Sequence, residues 1–131
     1  MKKSNKILFT LVLSLLIFPS YGYISQDKSI NFSTIDINLL CNEWKLVKIT
    51  IISEKVIYKD EGKTTLNINC DQNSWEIKEE TKLVSSGTWK LDDSKLELRT
   101  KNGTRLFNIT YLSKNKLIIA YADVIQEYVR R

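Results

Sequence analysis

From Ser86 to Thr100, two runs of alternating apolar and polar residues flank a single polar turn, a pattern that few folds accommodate. Gly87, Trp89 and Leu91 fall on one side of the first run and Thr88 and Lys90 on the other; in the second, Leu96 and Leu98 oppose Glu97 and Arg99. Successive side chains of a strand point to opposite faces, so a period of two marks each run as a strand with one buried face. Asp92-Asp93-Ser94-Lys95 supplies the turn, and the unit reads as a β-hairpin.

The same unit recurs along the chain. Runs at 43–52, 55–58, 64–70, 75–78, 83–91, 95–100, 105–112, 117–123 and 126–130 alternate with polar turns such as Lys59 to Lys63, Asp71 to Ser74, Lys101 to Gly103 and Ser113 to Lys116. No stretch holds a helical period over three turns, and the one proline, Pro19, precedes all the runs. The fold class is therefore all-β, with eight or nine antiparallel strands. Many short sequential strands escape exposed edges by closing on themselves, and hairpin turns at nearly every junction favour an up-and-down β-barrel over a Greek key. Leu66, Ile68 and Cys70 share one face, as do Trp75 and Ile77, and Phe107, Ile109 and Tyr111. The first run is ambiguous: Trp44 and Leu46 alternate out of phase with Ile49 and Ile51, and a bulge would let both sets point inward.

The N-terminal region carries a different message. Met1 to Lys6 is basic, Ile7 to Phe18 is apolar apart from Thr10 and Ser14, and Ser20 and Gly22 are the small residues of a cleavage site. Residues 1–22 read as a secretory signal peptide, 23–39 as an extended leader, and 40–131 as the barrel domain. The rival, a retained membrane anchor, suffers from an apolar run too short to cross a bilayer of about 30 Å comfortably; no stable membrane insertion is expected after cleavage, and the destination is the periplasm or the exterior. Ile37, Leu39 and Leu40 could form one helical turn that plugs the end of the barrel.

Cleavage removes three lysines and no acidic residue, so the formal charge of +5 falls to +2. Nucleic-acid binding by bulk charge is thereby disfavoured. In an oxidising compartment Cys41 and Cys70 are expected to form a disulfide; the alternative is two buried thiols packed as small hydrophobes.

The chain has no histidine, which removes the commonest general base and the commonest metal ligand together. Asp60-Glu61, Glu79-Glu80 and Asp92-Asp93 are neighbours in sequence, which point apart on a strand or face water in a turn. No enzyme activity, metal site or cofactor is expected. The aromatics say more: Trp75, Trp89, Phe107, Tyr111 and Tyr121, with Leu98, lie on strands and mostly on the inward face. In a small barrel such residues either fill the interior or line a ligand cavity.

Four segments carry a resemblance. Leu40-Cys41-Asn42-Glu43-Trp44-Lys45-Leu46, Gly87-Thr88-Trp89-Lys90-Leu91-Asp92-Asp93, Leu112 to Ile118 and Glu127-Tyr128-Val129-Arg130-Arg131 together resemble the small bacterial lipocalin-like domains. Asn42 stands where typical lipocalins have glycine, and the lipidated cysteine of many bacterial relatives is missing. The resemblance implies an eight-stranded barrel closed at one end, with Trp44 and Arg130 meeting at that end. It also implies the ability, seen in some members, to hold a small apolar ligand, for which the inward-facing Trp75, Trp89, Leu98, Phe107, Tyr111 and Tyr121 are the candidate lining. The alternative is a protein-interaction or inhibitor module with a solid core. Cavity or filled interior is the observation that separates them.

Overall fold

The structure is a computed structural model, and it describes residues 35–131; the expected signal peptide, 1–22, and most of the expected leader, 23–39, lie outside the described residues. One helical turn, α1 (Ile37–Leu40), precedes nine strands: β1 (Glu43–Ile51), β2 (Val56–Lys59), β3 (Thr64–Asn69), β4 (Ser74–Glu79), β5 (Lys82–Asp92), β6 (Lys95–Thr100), β7 (Gly103–Leu112), β8 (Lys116–Tyr121) and β9 (Val124–Arg130). Every pairing is antiparallel, and β1 also pairs with β9, which closes eight strands into a barrel. β2 is the additional strand: it pairs with the second half of β1, and β3 takes the first half.

Short loops set the register. Glu79–Lys82, Asp92–Lys95, Thr100–Gly103 and Tyr121–Val124 each pair across a two-residue turn. Glu80, Asp93 and Ala122 take left-handed φ values of 60°, 56° and 54° there, the backbone that lets so tight a turn follow the strand twist.

Three irregularities re-aim the strands. On β1 the register shifts between Leu46 and Lys48, so Val47 is an extra residue. Trp44 and Leu46 before it, and Ile49 and Ile51 after it, all face the core, while Val47 is 39% exposed. On β5 the extra residue is Val84. On β7 it is Thr110: Ile109 pairs with Ile119, but Tyr111 pairs with Ile118. That shift corrects the simple alternation read for β7, because a one-residue slip moves the following side chain to the other face.

α1 seals one end. Leu40 is fully buried, the Trp44 indole N–H donates to its carbonyl at 3.0 Å, and Asp36 caps the turn by accepting from the Asn38 N–H. A disulfide between Cys41 and Cys70 ties this plug to the end of β3.

Candidate functional site

The expected ligand-lining residues do not gather around a space. Trp75 retains 1% of its surface, Leu98 none, Phe107 1% and Trp89 7%. Leu46, Ile49, Leu66, Ile68, Ile77, Leu96, Ile109, Leu117 and Ile119 retain 0–1% as well. Walls of a ligand cavity would keep surface that a water molecule could touch. These side chains keep almost none, so each is covered by its neighbours. Both tryptophans also spend their N–H groups on the barrel wall: Trp75 donates to the Thr88 carbonyl at 2.9 Å and Trp89 to the Asn69 carbonyl at 3.0 Å.

Two expected residues sit elsewhere. Tyr111, placed inward by simple alternation, is 48% exposed on the outer face, because Thr110 shifts the register. Tyr121 is half-buried, with its ring centroid 5.9 Å from that of Phe107 and the Arg105 guanidinium 4.3 Å above it. Arg130 stands opposite Trp44 in the β1–β9 register, but its side chain is exposed. It is Arg131 that reaches back to the first strand, pairing with Glu43 at 2.7 Å. Trp44 and Arg130 thus meet in the register as expected, while among the described residues the cation over an aromatic ring is Arg105.

Several buried polar groups escaped the sequence reading. Arg105 is 4% exposed and Gln126 1%; both keep phase with apolar neighbours, Arg105 with Phe107 and Ile109, Gln126 with Val124 and Tyr128, so the period of two was the available signal. Burial lowers the Arg105 pKa while the Tyr121 phenol opposes the shift. Tyr128 donates to Gln126 Oε1 at 2.8 Å, and burial together with nearby Asp60 pushes its phenol well above the ordinary range, so it stays protonated as a donor. Asp60 lies in the passage from β2 to β3, 3% exposed, accepting from the Thr64 N–H at 2.7 Å and the Thr64 hydroxyl at 3.2 Å. Burial raises its carboxyl pKa even so. Nothing in the local sequence marks this turn residue as buried.

Open space lies outside the wall. A groove of about 360 Å3 crosses the outer face of β3, β4 and β5, lined by Asn67, Asn69, Gln72, Ser74, Glu76, Ser86 and Thr88 around Trp75 and Gly87. The register explains the lining. Asn67, Glu76 and Ser86 form one row across the three strands, and Asn69, Ser74 and Thr88 form the next. On the opposite part of the wall the outer rows mix apolar and charged residues: Ile57, Thr50, Ile125, Ala120 and Asn108 in one, and Lys59, Lys48, Glu127, Ile118 and Tyr111 in the next. Glu127 holds Lys48 at 3.2 Å and Lys116 at 3.8 Å beside them. Among the described residues no group of histidine, cysteine or acidic side chains is placed to hold a metal ion.

A closed eight-stranded meander with a helical plug under its first-strand tryptophan is a lipocalin-like barrel. Two solved structures share the fold. A lipocalin-like protein from Bacteroides uniformis superposes with a TM-score of 0.59 at 13% identity, over 71% of this chain and 99% of its own. An uncharacterized protein from Bacteroides eggerthii does so with a TM-score of 0.59 at 11% identity, over 69% and 98%. No protein-family profile and no curated protein matches the chain.

Proposed function

We propose that this chain is an exported, non-catalytic, lipocalin-like interaction module that works from its outer face and carries no apolar ligand inside. The observation that carries the reading is the filled interior, where Leu98, Phe107 and Trp75 retain 0–1% of their surface. Two further features support it. The Cys41–Cys70 disulfide suits an oxidising compartment. Ile57 and Tyr111, 56% and 48% exposed, stand in adjoining outer rows with Ile125, Ala120 and Ile118 and the paired Lys48 and Glu127 between them, a mix of large apolar side chains and charges that suits contact with a protein partner.

The test is a fluorescence titration of the disulfide-bonded barrel with N-phenyl-1-naphthylamine and with dodecanoic acid competing for it. The expected result is no saturable enhancement and no change in emission from the buried tryptophans. Saturable one-to-one uptake that dodecanoic acid reverses would overturn the solid-core reading.

A further inference from the structure

We infer that the outer groove over β3, β4 and β5 is a binding site for a neutral saccharide, of mono- or disaccharide size or the end of a longer glycan. It rests on the reading that the outer face does the barrel's binding, and it names the ligand class for one part of that face.

Charge excludes the ionic ligands first. Glu76 is the one ionisable side chain among the groove's lining residues, so the lining offers an anion no cationic partner, and Lys78, outside the lining, already stands 3.5 Å from the carboxylate that a cation would need. Apolar ligands fare no better, because the sole apolar side chain at the groove, Trp75, is 1% exposed and turned into the core. Addition of a peptide strand is blocked as well: β4, the floor, is paired along its length with β3 on one side and β5 on the other, so its backbone groups are already used.

What remains is a wall of amides and hydroxyls. Asn67 and Gln72 each present both a donor and an acceptor, and Ser74, Ser86 and Thr88 present hydroxyls that do either. The Asn69 side-chain oxygen is held by the Gln72 backbone N–H at 3.1 Å, which fixes the corner of the groove. Sugar hydroxyls donate and accept in the same way and are spaced along a ring, so two parallel rows of such groups match them where a single charged or apolar contact would not. The Glu76 carboxylate, in the middle of the first row, adds acceptors of its own. At about 360 Å3 the groove lies within the range of roughly 300–1,000 Å3 typical of small-molecule sites.

The experiment is a 15N-resolved NMR titration of the disulfide-bonded barrel with maltose, cellobiose, lactose and N,N′-diacetylchitobiose, with glucuronic acid and glucosamine as charged controls. At least one neutral sugar should give saturable shifts centred on the Asn67, Asn69 and Gln72 side-chain amides and the backbone of Ser74 to Glu76 and Ser86 to Thr88. The double variant Asn67→Ala, Ser86→Ala changes only outward side chains; with an unchanged melting temperature it should bind that sugar at least tenfold more weakly. Saturable shifts from none of the four, shifts centred elsewhere, unchanged binding by the variant, or tighter binding of a charged control would each overturn the proposal. Failure here leaves the solid-core reading standing, since that reading falls only to uptake of an apolar probe.

Discussion

Gly87 offers the sharpest test of the barrel's geometry. A Cβ built on it would overlap the backbone of Arg99: the carbonyl carbon would stand 2.9 Å away with its oxygen closer still, and the Trp75 indole nitrogen would be at 3.1 Å. The neighbour that must yield is backbone, so Gly87→Ala forces β5 and β6 apart by more than an ångström. Overpacking of this kind costs typically about 1–3 kcal/mol. Parting the strands also weakens the ladder at Thr88–Arg99 and Trp89–Leu98, and two buried backbone bonds at roughly 1 kcal/mol each bring the total to about 3–5 kcal/mol. That is a large share of the roughly 5–10 kcal/mol such a domain commands. Urea unfolding followed by tryptophan fluorescence reads the change directly, since Trp75 and Trp89 flank the site. Ser86→Ala, one residue away on the outer face, is the control and should stay within about 0.5 kcal/mol of the parent. If Gly87→Ala matches that control, β5 does not approach β6 as closely as argued.

Phe107→Ala should cost about 3–5 kcal/mol by leaving a cavity, while Tyr111→Ser should cost under about 1 kcal/mol because its ring is outside; equal losses in urea would contradict the bulge at Thr110. Replacing Cys41 and Cys70 by alanine opens a loop closed over a separation of 29 residues and should cost about 3.5 kcal/mol, with no free thiol titrating in the denatured, unreduced parent. Burial raises the Asp60 pKa, so the folded state holds its proton more tightly than the unfolded chain. That contribution is complete below about pH 4 and is lost as pH rises through the raised value. The melting temperature of the parent minus that of Asp60→Asn should therefore fall between pH 4 and pH 7, and a rise would refute the assignment.

Strand number and order were legible because nearly every run keeps a period of two and ends at a short polar turn. Glu43 to Ile52 was legible even in its irregularity: the phase change between Leu46 and Ile49 demanded an extra residue, and Val47 is that residue. Tyr111 was not, since Phe107, Ile109 and Tyr111 alternate without a break and only the partner strand reveals the slip. Filling of the interior was equally hidden. Alternation says which side chains point inward; whether they meet in the middle depends on strand tilt and on how deeply Trp44 and Trp75 reach, which are properties of the closed barrel. Asp60 was missed because turn aspartates ordinarily face water, whereas this one turns in to cap the start of β3 through Thr64.

The bulges bear on function as well as on register. Two of the three bulges leave an apolar side chain outside: Val47, the extra residue of β1, and Tyr111, which follows the extra residue of β7. Both lie on strands of the part of the wall where β1, β7, β8 and β9 adjoin, and they add apolar surface to a face that also carries Lys48, Glu127 and Lys116. On β3 and on β4 before Ile77 the register has no shift, so alternation runs unbroken and the outward positions stay polar: Asn67, Asn69, Ser74 and Glu76. The two faces thus follow from where the wall is irregular, and their chemistry differs accordingly. An eight-stranded barrel is only just wide enough for its own side chains, and here large ones occupy it. The proposed partner and the proposed sugar would both meet the outside of the wall, the sugar on the side where the outward residues of β3, β4 and β5 are polar.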